Sequence, residues 1–309
     1  MLWEPVDAAE ALSARFGFTG LQPAAEWITT QLRATWGIEV DRCERFVISD
    51  QNALVWVSTS RGGLVVKWSR AAERFEKLAA TTRLLARLAA QGLPVAAPLA
   101  TLGGRDRPVL DGPLGALSMV VLPELDGTWL DVGDPAAVHA AGASLADLHA
   151  ALGSSGDAVR LPAPSRILSE RVSDWVAGAG GDHLSGATER LGALLPGLPE
   201  LDHEVQLVHN DFRAANILTR GSTVVGVLDF DEVVVDHCVS DLAKASVYLA
   251  TRFTDWRPST PAVRRTFREG YESRRPLSRE EACWLDALVL WQGIQAVRVV
   301  DGTGWANAL

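Results

Sequence analysis

The chain has 309 residues, 48% of them hydrophobic and 22% charged, with 29 basic and 38 acidic side chains giving a net charge of -9. This length exceeds one ordinary core and predicts two domains or two lobes of one fold, and the composition excludes a disordered chain. The acidic balance excludes a general nucleic-acid binder, because the phosphate backbone rewards a basic face, and it is compatible with a cationic small-molecule partner.

The first residues, Met1 to Asp7, show neither a basic leader nor an apolar signal core, and no long uncharged apolar run occurs. Secretion and membrane spanning are therefore not expected. Cys43, Cys238 and Cys283 are odd in number and widely spaced, which suits free thiols in a reducing cytoplasm better than a disulfide framework.

Three short strands are expected at Arg45–Ile48, Ala53–Ser58 and Leu64–Trp68, joined by the turn formers of Ser49–Asn52 and Arg61–Gly63. A helix follows from about Ala71 to Gln91, carrying Phe75, Leu78, Leu84, Leu85 and Leu88 near helical spacing and stopped by Gly92 and Pro94. Pro108–Asp111 and Leu117–Leu122 read as two more strands, which completes a small mixed lobe over residues 1–122. Residues 123–127 read as a hinge and 128–309 as a larger, mainly helical lobe.

In that second lobe a helix is expected from Pro135 to Leu152, with Asp134 as its N-cap and proline in its first turn. A hairpin is expected from Ile217–Thr219 and Val224–Leu228 around Arg220–Ser222, then helices at about 239–251, 261–271 and 278–300. The fold class is α+β.

The chemistry concentrates in His209-Asn210-Asp211-Phe212-Arg213-Ala214-Ala215-Asn216, followed thirteen residues after Asn216 by Asp229 in Leu228-Asp229-Phe230-Asp231. The intervening hairpin returns the chain on itself, so Asn216 and Asp229 leave and enter at one open end, near Asp211. Phosphoryl transfer from ATP needs such a set. Mg2+ prefers oxygen ligands, supplied here by Asn216 and Asp229, and the attacking hydroxyl needs a carboxylate, Asp211, to orient it and accept its proton. The plain alternative is a polar loop in which Asp and Asn merely cap turns.

With these residues the sequence resembles the aminoglycoside phosphotransferase and choline kinase superfamily, whose pattern is His-x-Asp-x-x-x-x-Asn and then an apolar strand ending in Asp. Asp236 and Ser240-Asp241-Leu242-Ala243 extend the match. The resemblance implies a protein-kinase-like two-lobe fold. It also implies that His209 is a buried support for the loop, while Asp241 reads as an N-cap or loop anchor.

Only three lysines occur, Lys67, Lys77 and Lys244, against 26 arginines. The resemblance assigns Lys67, on the third strand, to the α and β phosphates. It asks for a glutamate on the next helix to pair with Lys67. Thr81 and Thr82 stand near the place where similar proteins carry one, so Glu76 or Glu73 has to substitute. Asn52 belongs to the phosphate-covering loop, and the Pro123 carbonyl and Leu125 amide would face the adenine edge, with Gly127 ending the hinge.

The acceptor is expected to be a small hydroxyl compound: an antibiotic such as an aminoglycoside, an amino alcohol or a sugar. Asn210 after His209 is similar to choline and ethanolamine kinases. Gly226–Asp231 and Val235-Asp236-His237 are similar to the homoserine kinase branch. Trp284 and Trp291, seven apart on the last helix with Asp286 and Gln292 near them, suit a cationic ligand or, more simply, core packing. A protein kinase is disfavoured, since no Ala-Pro-Glu follows Asp229. A nucleotide-binding regulator without catalysis would show degraded positions, and Asp211, Asn216 and Asp229 are all intact.

Overall fold

The computed structural model describes residues 6–155, 161–178, 184–201, 205–253 and 255–299. The chain divides into two compact units, Met1–Asp126 and Gly127–Leu309.

The N-terminal unit is built on one five-stranded antiparallel sheet: β1 (Arg42–Ile48), β2 (Asn52–Thr59), β3 (Gly62–Ser69), β4 (Val109–Gly112) and β5 (Gly115–Pro123), in the order β1-β2-β3-β5-β4. Period-2 alternation turns Ala53, Val55 and Val57 of β2, Leu64, Val66 and Trp68 of β3, and Leu117, Met119 and Val121 of β5 into one core. Two helices that the sequence reading did not anticipate cover that face, α1 (Ala8–Phe16) and α2 (Leu21–Gln31), the second extended by a π turn over Leu32–Trp36.

Both are short, and their signals are mostly in their ends. Asp7 caps α1 by accepting the Ala9 and Glu10 amides at 2.9 and 3.0 Å, and Gly17 ends it at φ 77. Leu12, Phe16, Ile28, Leu32 and Trp36 are buried against the sheet. Each such side chain contributes about 1.5–3 kcal/mol on leaving water. α3 (Phe75–Ala90) follows a 3-10 turn at Ala72–Arg74 and buries Leu78, Leu84 and Leu88.

The second unit opens with β6 (Thr128–Trp129) and α4 (Pro135–Gly153), which starts with the expected Asp134 cap on the Ala136 amide. Next come α5 (Leu168–Ala177), α6 (Ser185–Leu194), β7 (Gln206–Val208), the hairpin β8 (Ile217–Arg220) and β9 (Thr223–Val227), and β10 (Val234–Asp236). The unit closes with α7 (Cys238–Tyr248), α8 (Pro261–Glu272) and α9 (Arg279–Val299). Val300, the expected end of the last helix, lies outside the described residues. α7 stops earlier than the expected residue 251. The chain turns at Leu249, whose carbonyl accepts the Ala214 amide at 2.9 Å and so helps to hold the loop after β7.

Two features place that loop. β7 pairs antiparallel with β10, and β8 lies between β6 and β9. Behind them α4 and α8 cross very closely. A Cβ on Gly142 would lie 2.0 Å from the Phe267 carbonyl, and one on Gly270 would lie 2.0 Å from that of His139. Only glycine permits this approach, and it brings His149 of α4 to Tyr271 of α8.

Candidate active site

β7 delivers the chain into the loop His209–Arg213, a 3-10 turn over Ala214–Asn216 leads into β8, and β9 returns to Leu228 and Asp229. Ile217 pairs with Val227, and the Leu228 amide donates to the Asn216 carbonyl at 2.8 Å. Asn216 and Asp229 therefore stand at the same end of the hairpin. Among the described residues, non-glycine backbone with positive φ occurs only at Asn210 (φ 63) and Asp229 (φ 62). Asn and Asp tolerate that region best, and residues held there concentrate at functional sites.

Asp211 is half-buried and held on both oxygens. Arg213 Nε donates to Oδ1 at 2.9 Å, and Asn216 Nδ2 donates to Oδ2 at 2.7 Å and to the Asp211 carbonyl at 2.8 Å. With its nitrogen engaged, Asn216 keeps its side-chain oxygen for another partner. That oxygen and the Asp229 carboxylate are both hard-oxygen groups of the kind Mg2+ takes alongside phosphate oxygens. The residues present thus fit the ion.

The loop is anchored from behind by Asp241, in the first turn of α7. Its carboxylate is buried and accepts the His209 amide at 3.1 Å, the Asn210 amide at 2.9 Å and His149 Nε2 at 2.9 Å. His149 Nδ1 meets the Tyr271 hydroxyl at 2.8 Å. Burial opposes charge on this pair, yet the contact prevails. Flanked by Tyr271 and the Asp241 carboxylate, His149 is held well above its ordinary pKa of 6.5, and beside it Asp241 is held below the carboxylate range.

His209 is also fully buried, and burial pushes its pKa down. Its Nε2 faces the Leu228 carbonyl at 3.0 Å and its Nδ1 the Asp211 amide at 3.2 Å. This network assigns the neutral ring with the proton on Nε2, a support that links the loop to the far strand of the hairpin. Asn210 is likewise structural. Its side chain donates to the Glu232 carbonyl at 3.2 Å and accepts from Lys244 Nζ at 2.8 Å.

The remaining expected residues belong to the N-terminal unit. Lys67 is buried on β3, with Leu54 and Val120 as cross-strand neighbours. By strand alternation it lies on the sheet face opposite the α1–α2 core. Asn52 closes a tight turn, its carbonyl accepting the Ser49 amide at 2.8 Å. Pro123 ends β5 opposite Leu64, and Leu125 follows in the irregular stretch after it.

The structure does not bring Glu73 or Glu76 to Lys67. Both are solvent-exposed, and among the described residues neither makes a hydrogen bond or ion pair. Thr81 and Thr82 are buried instead, with Thr82 Oγ1 accepting from Arg107 Nη1 at 3.4 Å. Gly127 is required where it stands, since a Cβ there would meet Val225 at 2.9 Å and Leu218 at 3.0 Å.

Trp284 and Trp291 are core residues, 3% and 8% exposed. Trp284 Nε1 donates to the Pro199 carbonyl at 2.7 Å, and Trp291 packs edge-on to Trp175. Trp284 also lines a cavity of about 510 Å³ with Arg171, Val205 and His237. Val205 and His209 flank β7 at its two ends, about 13 Å apart along the strand. Arg171, on the cavity wall, makes a bidentate pair with Asp236 at 2.9 and 2.8 Å.

Roles for Arg213, His149 and Tyr271 had no counterpart in the sequence reading. Arg213 had a local signal, since it lies two residues from Asp211, but His149 and Tyr271 are 92 and 30 residues from Asp241 along the chain and leave none.

The fold is of the protein-kinase-like class, with a sheet-based N-terminal unit and a mainly helical second unit. Residues 46–283 match the model of the phosphotransferase enzyme family, and the chain belongs to that family. Among solved structures it is similar to amicoumacin kinase hAmiN in complex with AMP-PNP, Ca2+ and Ami, at 14% identity and TM-score 0.64, over 93% of this chain and 85% of the other. It is also similar to the macrolide 2'-phosphotransferase MphH of Brachybacterium faecium, at 17% identity and TM-score 0.62, over 92% and 95%. A third similar structure is a thermostable mutant of aminoglycoside phosphotransferase APH(4)-Ia with ADP and hygromycin B, at 17% identity and TM-score 0.58, over 90% and 95%. No curated protein matches the chain. No helix among the described residues is long and apolar enough to cross a membrane.

Proposed function

We propose that this kinase uses ATP and Mg2+ to phosphorylate a hydroxyl group of a small molecule, with Asp211 orienting that hydroxyl and accepting its proton. The observation that carries the reading is the short loop in which one amide, that of Asn216, bonds Asp211 through nitrogen and leaves its oxygen open beside the strand end bearing Asp229. In the step, the acceptor oxygen forms a bond to the γ phosphorus and the bond to the β–γ bridging oxygen breaks. The hydroxyl proton passes to Asp211, and ADP leaves. Asn216 and Asp229 would hold Mg2+, which when bound neutralises phosphate charge.

Lys67 is the residue for the α and β phosphates, Asn52 belongs to the loop over them, and Pro123 and Leu125 offer backbone groups to adenine. Glu76 has no support as the partner of Lys67. Asn210 no longer argues for a choline-type acceptor, because its side chain is spent on the Glu232 carbonyl and Lys244. Similar structures contain hygromycin B and spectinomycin, or are named for macrolides and amicoumacin, which favours an antibiotic-like acceptor over choline, ethanolamine or homoserine.

The test is Mg2+-dependent ATP consumption against aminoglycosides, macrolides, amino alcohols, homoserine and hexosamines, with Asp211→Ala in parallel. Acceptor-dependent turnover lost in the variant supports the assignment. Near wild-type turnover in Asp211→Ala would overturn the role of Asp211. Nucleotide binding with no turnover on any acceptor would favour a non-catalytic regulator.

A further inference from the structure

Among the described residues only Asn210 (φ 63) and Asp229 (φ 62) hold a positive φ without being glycine, and the side chain of the first reaches the segment of the second. Asn210 Nδ2 donates to the Glu232 carbonyl at 3.2 Å, at the end of the 3-10 turn that Asp229 opens. On the other side of Asp229, His209 Nε2 faces the Leu228 carbonyl at 3.0 Å. Consecutive residues of the Asp211 loop thus bond the chain one residue before and three residues after Asp229. Backbone in this region persists where surrounding contacts over-determine it, and these two bonds bracket it.

Asn210 is itself gripped twice by α7. Its amide donates to Asp241 Oδ1 at 2.9 Å, and its side-chain oxygen accepts from Lys244 Nζ at 2.8 Å. That is the one hydrogen bond Lys244 makes among the described residues. An ammonium only donates, so it must face the oxygen of the amide and not the nitrogen. The cation thereby fixes which end of Asn210 points to Glu232, through a charge-assisted bond. Lys244 also lies one turn from Asp241 on α7 and attracts that carboxylate.

We propose that Lys244 and Asn210 form a positioning clamp, in which the ammonium orients the Asn210 amide and the amide holds the Asp229 segment in register with the loop bearing Asp211. This rests on the reading of Asp229 as a ligand for Mg2+. The clamp acts on how the Asp229 carboxylate is presented. Its loss therefore falls on the part of nucleotide binding that needs Mg2+ and leaves the metal-free part alone, and no acceptor is needed to see this.

Two measurements on the full chain compare Asn210→Gly, Lys244→Met, the double variant and Asp229→Ala with the unaltered protein. Glycine keeps the positive φ while removing the amide, and methionine keeps an unbranched stem without the charge. Titration calorimetry with ADP, with and without Mg2+, gives the factor by which Mg2+ raises affinity. Asn210→Gly is expected to lower that factor about three- to tenfold, the worth of one hydrogen bond, with metal-free ADP affinity changed by less than about twofold. Lys244→Met should lower it by less, and the double variant no further than Asn210→Gly, because the lysine acts through the amide. Amide hydrogen exchange in Asn210→Gly should accelerate by a similar factor at residues 229–233 and not in α8.

Unchanged exchange at 229–233 in Asn210→Gly overturns the clamp. An unchanged Mg2+ factor in Asn210→Gly beside a lowered one in Asp229→Ala also overturns it. So does an equal loss of ADP affinity with and without Mg2+, which marks an asparagine that serves stability alone. Additive effects in the double variant overturn the part given to Lys244. If Asp229→Ala itself keeps the full Mg2+ factor, it is the reading of Asp229 that fails, and the exchange result by itself still decides the clamp.

Discussion

Replacing Asp241 tests whether the loop bearing Asp211 depends on a single buried carboxylate. Three donors converge on it, the His209 and Asn210 amides and His149 Nε2, at 3.1, 2.9 and 2.9 Å. Asp241→Ala strands all three. Two buried amides left unmet cost about 1–3 kcal/mol each, and breaking a buried pair costs about 3–5 kcal/mol. His149 can release its proton, so the sum lies toward the lower end, about 5 kcal/mol. That is comparable to the whole stability of a marginal protein, and Asp241→Ala is expected to fold poorly.

Asp241→Asn is the informative variant. Its one oxygen can keep an amide while its NH2 must face another donor, for a loss of about 2–3 kcal/mol. Urea unfolding followed by tryptophan fluorescence would show the midpoint falling, and kcat should drop at temperatures where the variant stays folded, with KM for Mg·ATP little changed. A stability loss under about 1 kcal/mol together with unchanged kcat would refute the anchoring argument.

Gly142→Ala places a Cβ 2.0 Å from the Phe267 carbonyl. α4 and α8 must separate by about 1.4 Å to reach ordinary contact, breaking the His149–Tyr271 bond and destabilising by about 3 kcal/mol or more. A melting temperature within a degree of the parent would contradict this crossing. The two buried histidines should titrate in opposite directions from 6.5, His149 above and His209 below, as ring-proton NMR would resolve. His149, with its raised pKa, contributes stability that is complete below 6.5 and is lost as pH rises through its folded-state value. His209 contributes above 6.5, and stability falls as pH drops below that, because the unfolded ring takes up its proton first. Glu76→Ala should leave turnover near wild type, since the carboxylate is exposed and makes no hydrogen bond or ion pair among the described residues. A tenfold fall in kcat would mean that Glu76 reaches Lys67 during the reaction.

Much of the loop around Asp211 was legible because its determinants are local. Asp211, Asn216 and Asp229 lie within nineteen residues, and the hairpin between them follows from strand-forming residues around the turn at Gly221. The same holds for the sheet, whose alternating β2 and β3 residues face one core, and for the start of α4 at Asp134 and Pro135. The helices α1 and α2 were missed because short amphipathic segments form chiefly by packing on a sheet face.

The sequence by itself determined the elements whose hydrogen bonds close within a turn or a hairpin, and the spacing of Asn216 and Asp229 from Asp211. Tertiary structure alone decided which partners those residues meet. His149, Asp241 and Tyr271 come from α4, α7 and α8, and only the glycine-permitted crossing of α4 on α8 brings them together. It likewise left Glu73 and Glu76 in solvent and gave buried places on α3 to Thr81 and Thr82. Burial and long-range contact depend on the packing of distant elements, and no local pattern of residues encodes which buried charge meets which.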